Sequence, residues 1–458
     1  MMTLWHRRLL YIFLIILFLI LAPVISFYAA GYEFDFSSKQ VRHTGILILT
    51  SEPKGANINL GDKRKYNWLY DWFYQDTELK TPQKLRNLLP DEYEVTLTKD
   101  SYFDYQRRIT INPGQTFLLD KIILFRRTQP EAVSEQSVSG GYLSRQGQYL
   151  AVLTKESLVI LELTSGQKRE IPLAAEKIGN ALVKILWAPS DKKVLITGGS
   201  YPVFNIETGI KEGAVKDYVF SPIANIKWDS FSDNKLYLEQ NNRLYQFDLI
   251  VKKATLISNA PVSQDFLVRN NNLLTLTKLN DGWMLNITVL ASDEQIGSIV
   301  LPAAAAYLFL EKADDFIYLY DSRRNTLALI DPRSFIPATE FITNIKNFSL
   351  VGEGKTMLFW NDFEIWLYNK ETKEKSLITR TSEQINKVWP HPKASDYFFY
   401  STRSNINAVE FQSKDYFNVT KILEAPNITS PAISPDGRYI YFIGGVMSNQ
   451  ELYKLDIK

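Results

Sequence analysis

The chain has 458 residues, enough for two or three domains, with 52 basic and 50 acidic residues and a net charge of +2. That near balance, with no basic run interleaved with aromatics, excludes a nucleic-acid surface built on bulk charge. Cysteine is absent, which removes disulfides, thiolate metal sites and thiol nucleophiles; the three histidines, His6, His43 and His391, are too far apart in sequence to suggest a metal site or a Ser-His-Asp triad.

The first predicted element is a membrane segment. Leu9 to Ala30 is almost wholly apolar, and about 22 residues at about 1.5 Å each give about 33 Å, enough to cross the hydrocarbon core. His6, Arg7 and Arg8 precede it, so the positive-inside rule places residues 1–8 in the cytoplasm and the bulk of the chain outside it. A cleaved signal peptide is the competing reading. The run is longer than the usual apolar core of about 7–15 residues, and cleavage after Ala29 or Ala30 puts bulky Phe27 or Tyr28 where a small side chain is required. The expectation is an uncleaved single-pass anchor over residues 9–30.

Residues 43–125 read as a small β-domain. Gly45 to Thr50 is a strand, Pro53 and Gly55 make a turn, and Ala56, Ile58 and Leu60 alternate with polar Asn57 and Asn59. Thr81-Pro82 opens a segment with apolar Leu85 and Leu88. Leu89 to Glu92 turns the chain into Tyr93 to Thr98, which alternates as a half-buried strand does. Gln106 to Ile111 follows, and Asn112-Pro113-Gly114 leads into Thr116 to Leu124.

The P-K-G-A at Pro53 to Ala56, the T-P at Thr81-Pro82, the L-L-P-x-x-Y at Leu88 to Tyr93 and the P-G-Q-T at Pro113 to Thr116 make this stretch resemble the PEGA domain. That resemblance implies a β-sandwich on a bacterial surface protein. The chain departs from the family pattern by an insert at 61–80 and by lacking the turn glycine before Tyr93. The insert carries Trp68, Tyr70, Trp72, Phe73 and Tyr74 after Lys63, Arg64 and Lys65, a composition suited to a membrane interface or a partner as well as to packing on the sandwich. Residues 126–138 are polar and short, and mark a boundary.

From about residue 138 a strand-turn-strand unit recurs. Its second strand starts near Tyr149, Val194, Leu236, Leu273, Phe316, Met357, Tyr397 and Tyr439, with turn chemistry such as S-P-D-G at Ser434 to Gly437 before it. The repeat resembles WD-repeat and TolB-like β-propellers, which implies four-stranded blades, eight by this count with seven as the alternative. Residues 131–458 are then the propeller. The last unit holds only three strands, so Glu131 to Val138 is expected to pair with Leu452 to Ile457 and close the ring. Asp191, Asp233 and Asp436 read as turn residues, and Trp187, Trp228 and Trp389, at the ends of first strands, as core.

The expected fold is therefore all-β: a transmembrane helix, a PEGA-like sandwich, then an eight-bladed or seven-bladed propeller. No catalytic, cofactor or metal motif stands out. Gly352 to Thr356 imitates the tail of a P-loop, but Ser349 occupies the place of its first glycine. The leading expectation is a membrane-anchored envelope protein that binds a protein or a cell-wall glycan and has no cofactor. The alternative is a hydrolase or lyase with carboxylate, Tyr or Lys groups in the propeller's central channel.

Overall fold

The computed structural model describes residues 4–35, 39–61, 79–134, 137–173, 183–219, 221–259, 262, 265–290, 292–302, 306–312, 314–331, 339–351, 354–413, 416–446 and 449–458. They form an all-β protein with one N-terminal apolar helix. The chain divides into two compact units, residues 1–128 with 457–458, and residues 129–456.

In the first unit the helix runs Leu4–Ala29, and its apolar side chains are exposed along its length. It is long and apolar enough to cross a membrane. It starts earlier than the apolar run does, so His6, Arg7 and Arg8 form part of its first turns. A hairpin of Tyr32–Asp35 and Gln40–His43 follows, with the Tyr32 and His43 rings stacked at 4.8 Å. Glu33 is buried on this hairpin, and burial, helped by the Asp35 charge, raises its carboxyl pKa to about 7.

Among the described residues the unit also holds two three-stranded sheets. Gln83–Leu88, Gly45–Glu52 and Thr116–Ile123 form one, and Asn57–Asn59, Asp91–Thr98 and Tyr105–Ile111 the other. Alternation along Gly45–Glu52 and Tyr105–Ile111 buries every second residue. Leu47, Leu49, Leu85 and Leu119 from one sheet share a single core with Val95, Leu97, Ile109 and Ile111 from the other. Each such side chain contributes about 1.5–3 kcal/mol by leaving water. Asp91 and Glu92, read from sequence as turn residues, already pair with Ile111 and Thr110, so the turn is only Leu89-Pro90.

The second unit contains, among the described residues, eight four-stranded antiparallel sheets. Their leading strands, in chain order, are Gly140–Leu143, Ile185–Trp187, Asn225–Trp228, Phe266–Arg269, Tyr307–Leu310, Asn347–Val351, Lys387–Pro390 and Thr429–Ile433. The second strands begin at Tyr149, Lys193, Lys235, Asn272, Ile317, Thr356, Tyr397 and Tyr439, each within one residue of the start expected from the repeat.

Neighbouring sheets share cores. Ile160 of the first sheet packs with Trp187 of the second. The first and last sheets are joined in the same way, by Leu150, Val152 and Leu161 with Tyr441, Ile443 and Leu452. The eighth sheet takes its fourth strand from Glu131–Ala132, which pairs antiparallel with Lys454 and Tyr453. The ladder is shorter than expected from sequence. Beyond it, Val133 N donates to Leu452 O and Val138 N to Gln450 O.

Turn glycines do two jobs at Gly437. Its φ of +75° suits a residue without Cβ, and a Cβ there would come within 2.7 Å of the His391 imidazole on the seventh sheet.

Candidate functional site

Five of the eight leading strands, or the residues next to them, line a cavity of about 840 Å³. It is lined from the first, second, third, fifth and sixth sheets, with Trp187, Ile226 and Phe309 among its apolar walls. Its charged lining residues are Arg145, Lys184, Lys227, Glu311 and Lys312.

Each leading strand is short, and four of the eight carry or adjoin one long cationic side chain that reaches the neighbouring sheet. Lys227 Nζ donates to Phe266 O at 2.6 Å, joining third and fourth sheets. Arg269 Nη1 donates to Phe316 O at 3.0 Å, fourth to fifth. Lys312 Nζ reaches Phe348 O at 3.2 Å, Ser349 Oγ reaches Val388 O at 3.1 Å, and Lys387 Nζ reaches Pro431 O at 2.8 Å. The second and third sheets use indoles pointing the other way: Trp187 Nε1 donates to Tyr142 O at 3.1 Å and Trp228 Nε1 to Leu186 O at 2.9 Å. Between eighth and first sheets Gly141 N donates to Ser430 Oγ at 3.3 Å. Every junction between consecutive sheets thus carries a bridge, satisfying polar groups that the cavity wall holds away from bulk water.

The turns add a second set of ties. Asp191, almost fully buried, accepts from Arg145 N at 2.9 Å and Gln146 N at 3.0 Å in the turn of the preceding sheet. Asp233 accepts from Ser190 N at 3.0 Å and from the Ser190 hydroxyl. Asp436 stays local, accepting from Arg438 N. Trp187, Trp228 and Trp389 are buried, as read from sequence, and the first two also donate across sheets.

Charge is unevenly spread around the cavity. Lys227 is neutralised by Asp265 at 2.8 Å, with Glu239 buried close by. Burial first, then the Asp265 charge, pushes the Glu239 carboxyl up. Lys312, on the lining, and Lys387, which lies outside it, have no carboxylate in ion-pair contact among the described residues, although the Asp314 charge acts on Lys312. Lys312 lies over the Phe348 ring at 4.5 Å, and burial pushes its ammonium pKa down. Burial, helped by the like charge of Lys312, brings Lys387 down to about 8. Arg145 and Glu311, from the first and fifth sheets, form an ion pair at 3.6 Å, both about one-third exposed.

The expected contact residues Trp68, Tyr70, Trp72, Phe73 and Tyr74 lie outside the described residues. Gly354 lies in the turn before Thr356–Trp360 with φ +79°, the role the repeat assigns it. Among the described residues no group of His, Asp or Glu is placed to hold a metal ion. Sequence reasoning missed the cations that bridge neighbouring sheets. Their trace is a lone Lys or Arg in or next to an apolar leading strand, as in N-I-K-W at Asn225–Trp228 and F-L-V-R at Phe266–Arg269.

No protein-family model matches the chain, and no curated protein matches it in sequence. Solved structures similar to it include the Dos1 propeller, at 12% identity and a TM-score of 0.49, covering 73% of this chain and 96% of that one. A eukaryotic initiation factor is similar at 12% identity and TM-score 0.46, covering 72% and 88%. The RRP9 WD40 repeats are similar at 10% identity and TM-score 0.41, covering 72% and 97%.

Proposed function

We propose that this chain is a membrane-anchored, extracytoplasmic scaffold of the bacterial cell envelope, in which an eight-bladed β-propeller over residues 131–458 binds a protein partner. The apolar helix is the anchor over residues 9–30, with residues 1–8 cytoplasmic, and residues 43–125 form a PEGA-like sandwich that acts as a stalk or envelope contact. The observation that carries the reading is the bridging around the cavity. Polar side chains hold neighbouring sheets together, and the cavity lined by two of them, Lys227 and Lys312, is broad enough to receive another molecule.

The test is in-cell crosslinking of the tagged full chain, with photo-reactive residues at cavity positions Lys184 and Asn347. The reading expects one discrete crosslinked protein, and expects residues beyond about 40 to be cleaved by protease added outside the cytoplasmic membrane. Protection of those residues, or no crosslinked protein at either position, overturns it.

A further inference from the structure

Among the described residues of the second unit, the large apolar side chains that stand furthest into solvent are Phe231 (79% exposed), Val300 (73%), Ile250 (71%), Val251 (66%) and Ile210 (64%). Val300 lies on the outer strand Gln295–Pro302. The other four are turn tips of the second and third sheets. Ile210 closes the turn from Pro202–Asn205 to Lys211–Ala214. Ile250 and Val251 lie between Arg243–Asp248 and Lys253–Ser258, and Phe231 lies between Asn225–Trp228 and Lys235–Gln240. In an antiparallel four-stranded sheet the first and third turns leave from the same end. Hydrogen bonds also join these turns to one another. Ile206 N donates to Lys192 O at 2.9 Å, Ser190 N to Asp233 Oδ1 at 3.0 Å and Leu249 N to Asn234 O at 2.8 Å. The four tips therefore share one face.

Each tip has its backbone satisfied from within its own turn. Asp229 Oδ1 accepts from Phe231 N at 2.8 Å, Asp248 Oδ1 accepts from Ile250 N at 2.8 Å and Val251 N at 3.0 Å, and Thr208 Oγ1 accepts from Ile210 N at 3.2 Å. Entering a medium without water strands none of these donors. Lysines stand beside the tips: Lys211 follows Ile210, Lys252 and Lys253 follow Val251, and all three are exposed. The acids nearest Ile210 in sequence are already matched, Glu207 by Lys192 at 3.6 Å and Glu212 by Lys193 at 2.5 Å. Apolar tips next to lysines complement an anionic bilayer, whose headgroups meet the ammonium groups while its acyl chains receive the tips. A stable protein interface uses about 20–30 residues a side, and four separate tips fall far short of that. A fluid bilayer needs no matching shape. We infer that this face of the second and third sheets is a contact surface for an anionic lipid bilayer. The inference rests on the anchor reading, which keeps a bilayer within reach of the unit.

The chain has no cysteine, so a single introduced one carries a nitroxide label at a chosen position. The full chain, labelled in Phe231→Cys or Ile250→Cys, is reconstituted into phosphatidylcholine vesicles with or without about one-quarter phosphatidylglycerol. Phe363→Cys is the control. Phe363 is half-exposed and lies between Thr356–Trp360 and Glu364–Asn369, in a second turn, which leaves from the opposite end of its sheet. Collision of the label with oxygen, which partitions into lipid, is compared with its collision with a nickel chelate confined to water.

In vesicles with phosphatidylglycerol the oxygen-to-nickel ratio is expected to be at least about threefold higher at positions 231 and 250 than at 363. At position 231 it should fall towards the level of 363 in Lys252→Glu/Lys253→Glu, in vesicles lacking phosphatidylglycerol and in about 1 M salt. Lys252→Arg/Lys253→Arg should keep it high. Equal ratios at the three positions overturn the proposal, and so does a raised ratio that ignores both the lipid charge and the lysine variants. Dipolar broadening between labels at 231, present in micelles and vesicles alike, overturns it in favour of a second copy covering this face. A chain that floats with the vesicles while its tips stay in water leaves the anchor reading standing and removes the lipid surface. Tips shielded by lipid on a chain that high salt strips from the vesicles do the reverse.

Discussion

Lys227 Nζ lies 2.8 Å from Asp265 Oδ1, on a carboxylate that also accepts from Asn225 Nδ2, Phe266 N and Phe309 N. One buried side chain thereby ties the leading strands of the third, fourth and fifth sheets. Removing one partner of such a pair leaves a buried charge without its complement, at a cost of about 3–5 kcal/mol. Asp265→Ala is therefore expected to lower the unfolding free energy of the second unit by that order, seen as a lower urea midpoint, and Asp265→Ala combined with Lys227→Met to recover part of it. An unchanged midpoint in the single variant removes Asp265 from its place as a hub.

Asp191 makes a smaller prediction with a clearer signature. Its two oxygens take the N–H groups of Arg145 and Gln146 from the preceding turn. Asp191→Ala strands both donors and costs about 1–3 kcal/mol. Its φ of +62° penalises Ala as well, whereas Asn tolerates that conformation and keeps one acceptor oxygen. Urea denaturation should rank wild type above Asp191→Asn and Asp191→Ala last; Ala equal to Asn would show that the bonds do not matter.

Two of the strongly shifted groups, Lys387 and Glu33, predict opposite pH dependences. Lys387 has a folded pKa of about 8, below its ordinary 10.5. The unfolded chain then binds more protons between those values, so stability rises with pH from about 8 to 10.5, as the burial penalty on the charged form is relieved. Lys312 is the like charge that adds to that penalty. Glu33 has a folded pKa of about 7, above its ordinary 4.5, so its contribution is fully present below 4.5 and lost as pH rises through 7. Thermal melts should show Lys387→Met flattening the alkaline rise and Glu33→Gln gaining on wild type between pH 5 and 8. Parallel curves for variant and wild type in either window contradict the corresponding shift.

The aromatic insert supplies the fourth prediction. Replacing Trp68, Trp72 and Phe73 with Ser should leave the melting temperature within a degree or two while reducing membrane or partner association, read by vesicle co-sedimentation and crosslink yield. A drop of many degrees would mean that these rings pack within the fold.

Much of this architecture was legible in the chain because strands and turns are local. The repeat starts fell within one residue, since a turn such as S-P-D-G and the β-branched run after it are decided by adjacent residues. The pairing of 131–132 with the last strand was legible for a different reason: a three-stranded final unit leaves an edge to be covered. The cavity was not legible. Asp191 could be read as a turn residue, but its partners lie some 45 residues earlier. Lys227, Arg269, Lys312 and Lys387 each meet a carbonyl about 40 residues on, at spacings that vary with loop length, so no periodicity betrays them. The helix extends beyond the N-terminal end of the apolar run because hydropathy marks where apolar residues begin, whereas helical structure continues through His6, Arg7 and Arg8.

The strand borrowed by the eighth sheet has a consequence for biosynthesis. Glu131 and Ala132 are made early, and their partners Lys454 and Tyr453 come about 320 residues later. At about 5–20 residues per second the wait lasts roughly 16 to 64 seconds. During that interval the first sheet is complete on one side only, and Leu150, Val152 and Leu161 face no counterpart. A chain stopped short of Tyr441 therefore keeps Leu150, Val152 and Leu161 without the side chains that cover them in the folded unit, an apolar flank open to aggregation.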